Sequence, residues 1–194
     1  MKKIAALLCV LMLSAGLVFA DEAADEYDDG YVYDVNGSGD QFLKISLFSL
    51  SPLNFKTGTL NTGAGAEIGY YRFLTKSVAV GGDVSASFNI TVGRNALTMI
   101  PFTMGILWQP TFGKFEFPVS CGIGVAYQTV QNASYFPGPV LNTEAGAFFR
   151  FNEMWSFGGE GKLMVMPEWW KKDNEIASTT KVFAGGIICA RYHF

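Results

Sequence analysis

"SVAVGGDVSASFNI", residues 77–90, changes character at every step. Val78, Val80, Gly82, Val84, Ala86, Phe88 and Ile90 fall on one side, and Ser77, Ala79, Gly81, Asp83, Ser85, Ser87 and Asn89 on the other. A period of two marks a strand with unlike faces, and helical spacing does not fit it. "KFEFPVSCGIGVAYQ", residues 114–128, repeats the pattern: Phe115, Phe117, Val119, Cys121, Ile123, Val125 and Tyr127 oppose Glu116, Pro118, Ser120, Gly122, Gly124, Ala126 and Gln128.

Carried along the chain, this reading predicts eight strands, at about residues 41–51, 62–73, 77–90, 98–109, 114–130, 140–151, 155–166 and 180–194. The connectors alternate. "LTK", "PTFGK" and "NEM" are short, whereas "PLNFKTGTLN", "VGRNAL", "QNASYFPGP" and "PEWWKKDNEIAST" are mostly longer and more polar. Short turns at one end and longer loops at the other describe an all-β, eight-stranded antiparallel up-and-down transmembrane β-barrel. Each strand meets the roughly 9–11 residues that a tilted strand needs to cross a bilayer.

A soluble barrel alternates too, with its apolar face inside. The composition of the polar face separates the two. It is mostly Gly, Ser, Ala, Thr and Asn with isolated charges, where a water-facing surface would be rich in Lys and Glu. Only 16 % of the residues are charged and 15 % are aromatic, which suits a lipid-facing wall. Aromatic residues gather at the short-turn strand ends: Tyr71, Phe73, Trp108, Phe112, Phe149, Phe151, Trp155 and Phe157. They are expected to form an interfacial girdle, with Trp108 and Trp155 as anchors. In the last long loop, Trp169 and Trp170 are expected to be further anchors, with Lys171 and Lys172 toward anionic headgroups.

The chain opens with Lys2 and Lys3, an apolar run, and small residues up to Ala20, the pattern of a secretory signal peptide over residues 1–20. Export by the Sec route to the outer membrane of a diderm bacterium follows as an expectation. Residues 21–40 hold eight acids and no base, and are expected to be a disordered acidic tail. Residues 41–194, the expected barrel, hold nine acids and twelve bases. No basic patch with interleaved aromatics points to nucleic acid.

Motifs for chemistry are sparse. "DVNGSGDQFLKI" places Asp34, Asn36, Ser38, Gly39 and Asp40 like the start of a calcium loop, but Ile45 stands where the closing glutamate belongs. An incidental turn is the simpler reading. His193 is the one histidine and lies at the short-turn rim, so no enzyme is expected. No metal ligand set and no cofactor site are read either. Cys121 and Cys189 fall on opposite faces, which argues against a disulfide.

The inward charges are the more informative set. Glu67, Asp83, Glu144, Glu160 and Lys162 project to mid-height, Lys44, Glu116, Arg150 and Arg191 lower, and Lys181 high. They are either a paired network filling a narrow barrel or an acidic constriction on a solute path. Barrel stagger can bring Lys44 or Arg191 up to the acids.

With these strands in place, the chain resembles OmpW-type small outer-membrane barrels. "GDQFLKISLFSLSP" resembles that family's opening strand, with an inward base at Lys44 and an apolar-x-Pro end at Leu50 and Pro52. The stretch carrying Pro101, Pro118, Gly122, Gly124 and Tyr127 resembles its proline-bearing middle strands, and "ARYHF" its aromatic close. The resemblance implies a monomeric, narrow passive channel or porin for small, often hydrophobic solutes that leave sideways. It makes Leu107, Val130, Phe148, Met164, Met166, Phe183 and Ile187 candidate lumen contacts. The alternative is a non-conducting structural or surface-interaction barrel, and a third class is a secreted soluble binder. The partners expected are outer-membrane lipid, an unidentified small solute and the barrel-assembly machinery. Tyr192 and Phe194 resemble the signal that this machinery reads. Deleting Phe194 is expected to lower the amount of heat-modifiable barrel in the outer-membrane fraction, and normal assembly of the truncated chain would count against that role.

Overall fold

The computed structural model describes residues 36–54, 60–91, 95–130, 133–172 and 175–194. The expected signal peptide and most of the expected acidic tail lie outside the described residues, as do the side chains of Val130, Trp169 and Trp170. The strands are β1 (Gln41–Pro52), β2 (Gly63–Phe73), β3 (Val78–Ile90), β4 (Ala96–Trp108), β5 (Thr111–Phe112), β6 (Phe115–Glu116), β7 (Val119–Val130), β8 (Ala133–Arg150), β9 (Trp155–Lys172) and β10 (Glu175–His193). β5 and β6 are the arms of a tight hairpin, turned at Gly113 (φ 60°). Thr111↔Glu116 continues the register of Trp108↔Val119, so β5 prolongs β4 and β6 prolongs β7. Ten segments thus make eight staves. The expected strand at 114–130 is interrupted at Phe117 and Pro118, where proline has no N–H for the ladder.

The staves pair in the order β1-β2-β3-β4-β7-β8-β9-β10, and β10 returns to β1 through Lys44↔Arg191, Leu47↔Ile188 and Phe48↔Ile187. The sheet is a closed antiparallel barrel, as the alternation predicts. Val84, Phe88, Ile100, Phe102, Met104 and Ile123 are exposed, while Asp83, Ser85, Ser87, Asn89, Thr103 and Gln128 are buried. The apolar face therefore points outward, the arrangement a lipid solvent requires. At the short-turn end Trp155 packs on Phe157 and Tyr192, and Tyr192 on Phe194. Trp108 is half-buried there. Tyr71 and Phe73, expected in this girdle, are instead inside the barrel. They share the inward parity of Glu67 and Gly69 on β2, and parity overrides their place at a strand end.

At the other end, two expected connectors are strand. Residues 133–139 continue β8 and pair with β7, and 167–179 lie mostly in the β9–β10 hairpin, from Thr180↔Pro167 to Glu175↔Lys172. Their composition reads as loop, and it is the backbone pairing across each hairpin that makes them strand. The two hairpins separate: β8 pairs with β9 only from Arg150↔Ser156 to Leu141↔Val165.

The cause of the separation is legible in the register. Two residues beyond Leu141↔Val165, the next rung of that parity would set Pro139 against Pro167. Gly146 donates to the Pro118 carbonyl on the β6–β7 side, so odd-numbered residues of β8, Pro139 among them, face β9. The Trp155 carbonyl accepts from Phe151, so odd-numbered residues of β9, Pro167 among them, face β8. Both donors of that rung are missing, and the ladder stops. Replacing both prolines by valine is expected to zip the staves two residues further. Amides at positions 139 and 167 should then exchange about tenfold more slowly than open-edge amides, with about 1 kcal/mol gained per added bond. Exchange at open-edge rates would show that something else holds the hairpins apart.

Candidate functional site

The centre of the lumen is an ion-paired layer. Lys44 on β1 and Asp83 on β3 both face Gly69 on β2, in one rung across three staves. A Cβ at Gly69 would collide with the Asp83 carboxylate and lie 3.3 Å from Lys44 Cε, so the missing side chain is what lets the two charges meet. Lys44 Nζ lies 2.6 Å from Glu144, 2.9 Å from Glu67, 3.4 Å from Asp83 and 3.5 Å from Glu160. An ammonium has three protons, so four carboxylates compete for three hydrogen bonds. Lys162 on β9 pairs with Glu67 on β2 and sits 2.9 Å from Glu144. Lys44–Glu144 and Lys162–Glu67 each join staves three places apart, so these pairs tie opposite walls across the lumen.

Toward the short-turn end, Arg191 reaches Glu160 at 2.8 Å and Gln109 at 2.7 Å, and lies 3.8 Å from Glu116. Its guanidinium stacks 3.4 Å from the Phe148 ring centre and 4.8 Å from that of Phe42. Arg150 Nε donates to Glu116 at 2.7 Å. Lys44 and Arg191 face each other directly in the β1–β10 ladder, a like-charge rung that holds because each cation has carboxylates of its own. Among the buried residues, five carboxylates (Glu67, Asp83, Glu116, Glu144, Glu160) meet four cations (Lys44, Arg150, Lys162, Arg191).

Apolar side chains close the layer above and below. Phe42, Tyr71, Phe73, Ala79 and Leu107 form a floor, and Tyr71 Oη donates to Asp83 at 2.5 Å. Toward the hairpin end Phe48, Leu50, Met99, Met164, Met166 and Phe183 belong to one contiguous buried cluster that also takes in Phe148 and Ile187. Lys181 lies beyond the last β1 partner, opposite Met166 and half-buried.

The acidic constriction of four acids against one base is not what the lumen contains. Lys44 and Arg191, placed low by counting residues along their strands, meet the acids at mid-height. Strand tilt and the reach of a long side chain bring them there. Glu116 and Arg150 do stay at the short-turn end, paired with each other. Leu107 is buried inside the barrel, in the floor. Residue counting missed Gln109, Asn36 and Tyr71 as partners of the charged layer; for Tyr71, the inward parity of β2 was the available signal. The calcium-like stretch turns its groups elsewhere: Asn36 to Arg150, Ser38 to the Leu74 carbonyl, and Asp40 to the Gly37 amide. Cys121 is exposed, Cys189 is buried, and both are free. His193 and Ser156 share a hydrogen bond of 2.8 Å inside the floor, beside Phe42.

A protein-family model matches residues 23–192, a range that reaches all eight staves. A protein of Treponema pallidum (strain Nichols), itself uncharacterized, is 31 % identical over 102 residues, covering 53 % of this chain and 46 % of that protein. The match therefore spans less than half of that relative's length. The crystal structure of the outer membrane protein OprG from Pseudomonas aeruginosa superposes with a TM-score of 0.59 at 12 % identity, over 83 % of this chain and 98 % of that one. The crystal structure of Neisserial surface protein A does so with a TM-score of 0.61 at 7 % identity, over 81 % and 98 %. At such identities the likeness is one of fold. The closed ring, the outward apolar face and these neighbours agree: the chain belongs to the family whose model spans residues 23–192, and its fold is that of the small eight-stranded outer-membrane β-barrels.

Proposed function

We propose that this protein is an outer-membrane barrel with a closed lumen, working through the hairpins that stand beyond its wall. The observation that carries this reading is the buried charged layer. Lys44 and Lys162 are 2 % and 3 % exposed, and each is held by carboxylates from other staves between two apolar layers. A passing ion would have to displace a cation already paired, and a passing apolar solute would have to cross charges with no hydration to replace. The network is a brace between walls. The hairpins β7–β8 and β9–β10, released from each other by the proline pair, are the part of the fold that this brace leaves free to vary. On this reading the wall meets outer-membrane lipid and the barrel works as a monomer.

The passive channel is the second reading, and one observation favours it. The parted edges of β8 and β9 leave the wall unpaired beside Met164 and Met166, where an apolar solute could leave for the bilayer.

Conductance and stability together separate the two. The closed reading expects no conductance steps from purified barrel in planar bilayers, and a loss of about 3–5 kcal/mol on Lys44→Met, because four buried carboxylates lose their shared cation. Steady steps from the unmodified protein, altered by Glu144→Gln with Glu160→Gln at little cost in stability, would establish the channel instead. Recovery of the protein in a soluble fraction without detergent would overturn both.

A further inference from the structure

We infer that residues 36–39 are a strap across the short-turn mouth of the barrel, latched on the far wall by Arg150. The inference is independent of whether the lumen conducts.

One end of the strap is fixed to β2. Gly39 donates to the Phe73 carbonyl at 2.8 Å, Phe73 donates to the Asp40 carbonyl at 2.8 Å, and Ser38 Oγ donates to the Leu74 carbonyl at 2.9 Å. The chain reverses there. The Asp40 amide lies 3.3 Å from the Gly37 carbonyl, and the Asp40 carboxylate accepts from the Gly37 amide at 2.6 Å. Gly39 has φ 102°, in the left-handed region, and a Cβ added there would meet nothing within 4 Å. The requirement for glycine is therefore conformational, and it aims the preceding residues back over the mouth.

The other end is on β8. Asn36 is buried, and its Oδ1 accepts from Arg150 Nη2 at 2.8 Å. In the ring of eight staves β2 and β8 are four places apart in either direction, so the two anchors are diametrically opposed. Residues 37–40 are a tight turn on the β2 side, so the crossing is made by Asn36, which precedes it, and by the long inward-pointing Arg150 side chain that meets it. Burial at the last rungs agrees. Ser156 is the second residue of β9 and His193 the last of β10, yet they are 0 % and 8 % exposed. Ser156 faces Arg150 in the β8–β9 ladder, so the latched side chain stands beside it, while His193 packs on Phe42 in the floor.

The latch is separable from the wall. Arg150 is held independently by Glu116 at 2.7 Å and by the Glu153 carbonyl at 3.3 Å, and Asn36 contributes a neutral amide oxygen. Releasing Asn36 leaves those wall contacts intact, so the strap can lift while the barrel stays closed as a ring. This makes residues 36–39 a built-in lid at the end of the barrel where the chain enters it.

The test uses the full chain with Cys9, Cys121 and Cys189 replaced by serine and a thiol introduced by Ser156→Cys. Folding is checked by heat-modifiable migration. A water-soluble maleimide should label this thiol slowly, and about tenfold or more faster once Asn36→Ala and Gly39→Val release the strap. Equal rates with and without those substitutions, slow or fast, would overturn the proposal. Hydrogen exchange on the unmodified chain gives a second reading that needs no substitution. The Gly39 amide should be protected like that of Phe73, and free exchange at Gly39 in a folded barrel would overturn it equally.

Discussion

Backbone N–H and C=O groups within a hydrocarbon layer have no partners but each other, and an eight-stave sheet satisfies them only by closing. The pairing of β10 with β1 is therefore the constraint from which the rest follows. A ring of eight is narrow, its interior just wide enough for side chains to fill. The inward charges at mid-height and toward the short-turn end are consequently removed from water, and a buried charge persists only with a partner. Closure, narrowness and ion pairing are one chain of cause.

The same narrowness explains why small residues and charges share rungs. Gly69 stands between Lys44 and Asp83, and Gly185 lies opposite Lys162 on β9. A Cβ at Gly185 would overlap the Ser49 carbonyl across the β1–β10 seam. At both places the absent side chain gives room, at Gly69 to two charged side chains and at Gly185 to a neighbouring backbone. The interior is then a layered solid, with a floor around Phe42, a charged middle around Lys44, and a roof around Met99 and Phe183. Such an interior braces walls well and passes solutes poorly, which is why the hairpins rather than the lumen draw the functional reading.

The prolines act at two scales. Pro118 interrupts a strand without ending the stave, since its carbonyl still accepts from Gly146. Pro139 and Pro167, each unremarkable alone, stop a ladder because they fall at the same would-be rung, where each would have to donate to the other. In the chain they are 28 positions apart, inside stretches that read as connectors. Their joint effect exists only once the register is known.

Alternation carried along the whole chain established the strands and their number, because side-chain parity along a strand is a local property, and the composition of the polar face chose the side that meets lipid. It also marked Lys44, Glu67, Asp83, Glu144, Glu160, Lys162 and Arg191 as inward. What parity cannot carry is height and company. Those depend on tilt and stagger, which belong to the closed ring and to no single strand. Hence Lys44 stands among four carboxylates rather than below them, Tyr71 finds Asp83 as its partner, and Asn36 crosses to Arg150. The sequence by itself determined a membrane barrel and its two faces. Only the tertiary structure decided which charges neutralise each other, because that is settled across the lumen, between residues about 100 positions apart such as Lys44 and Glu144.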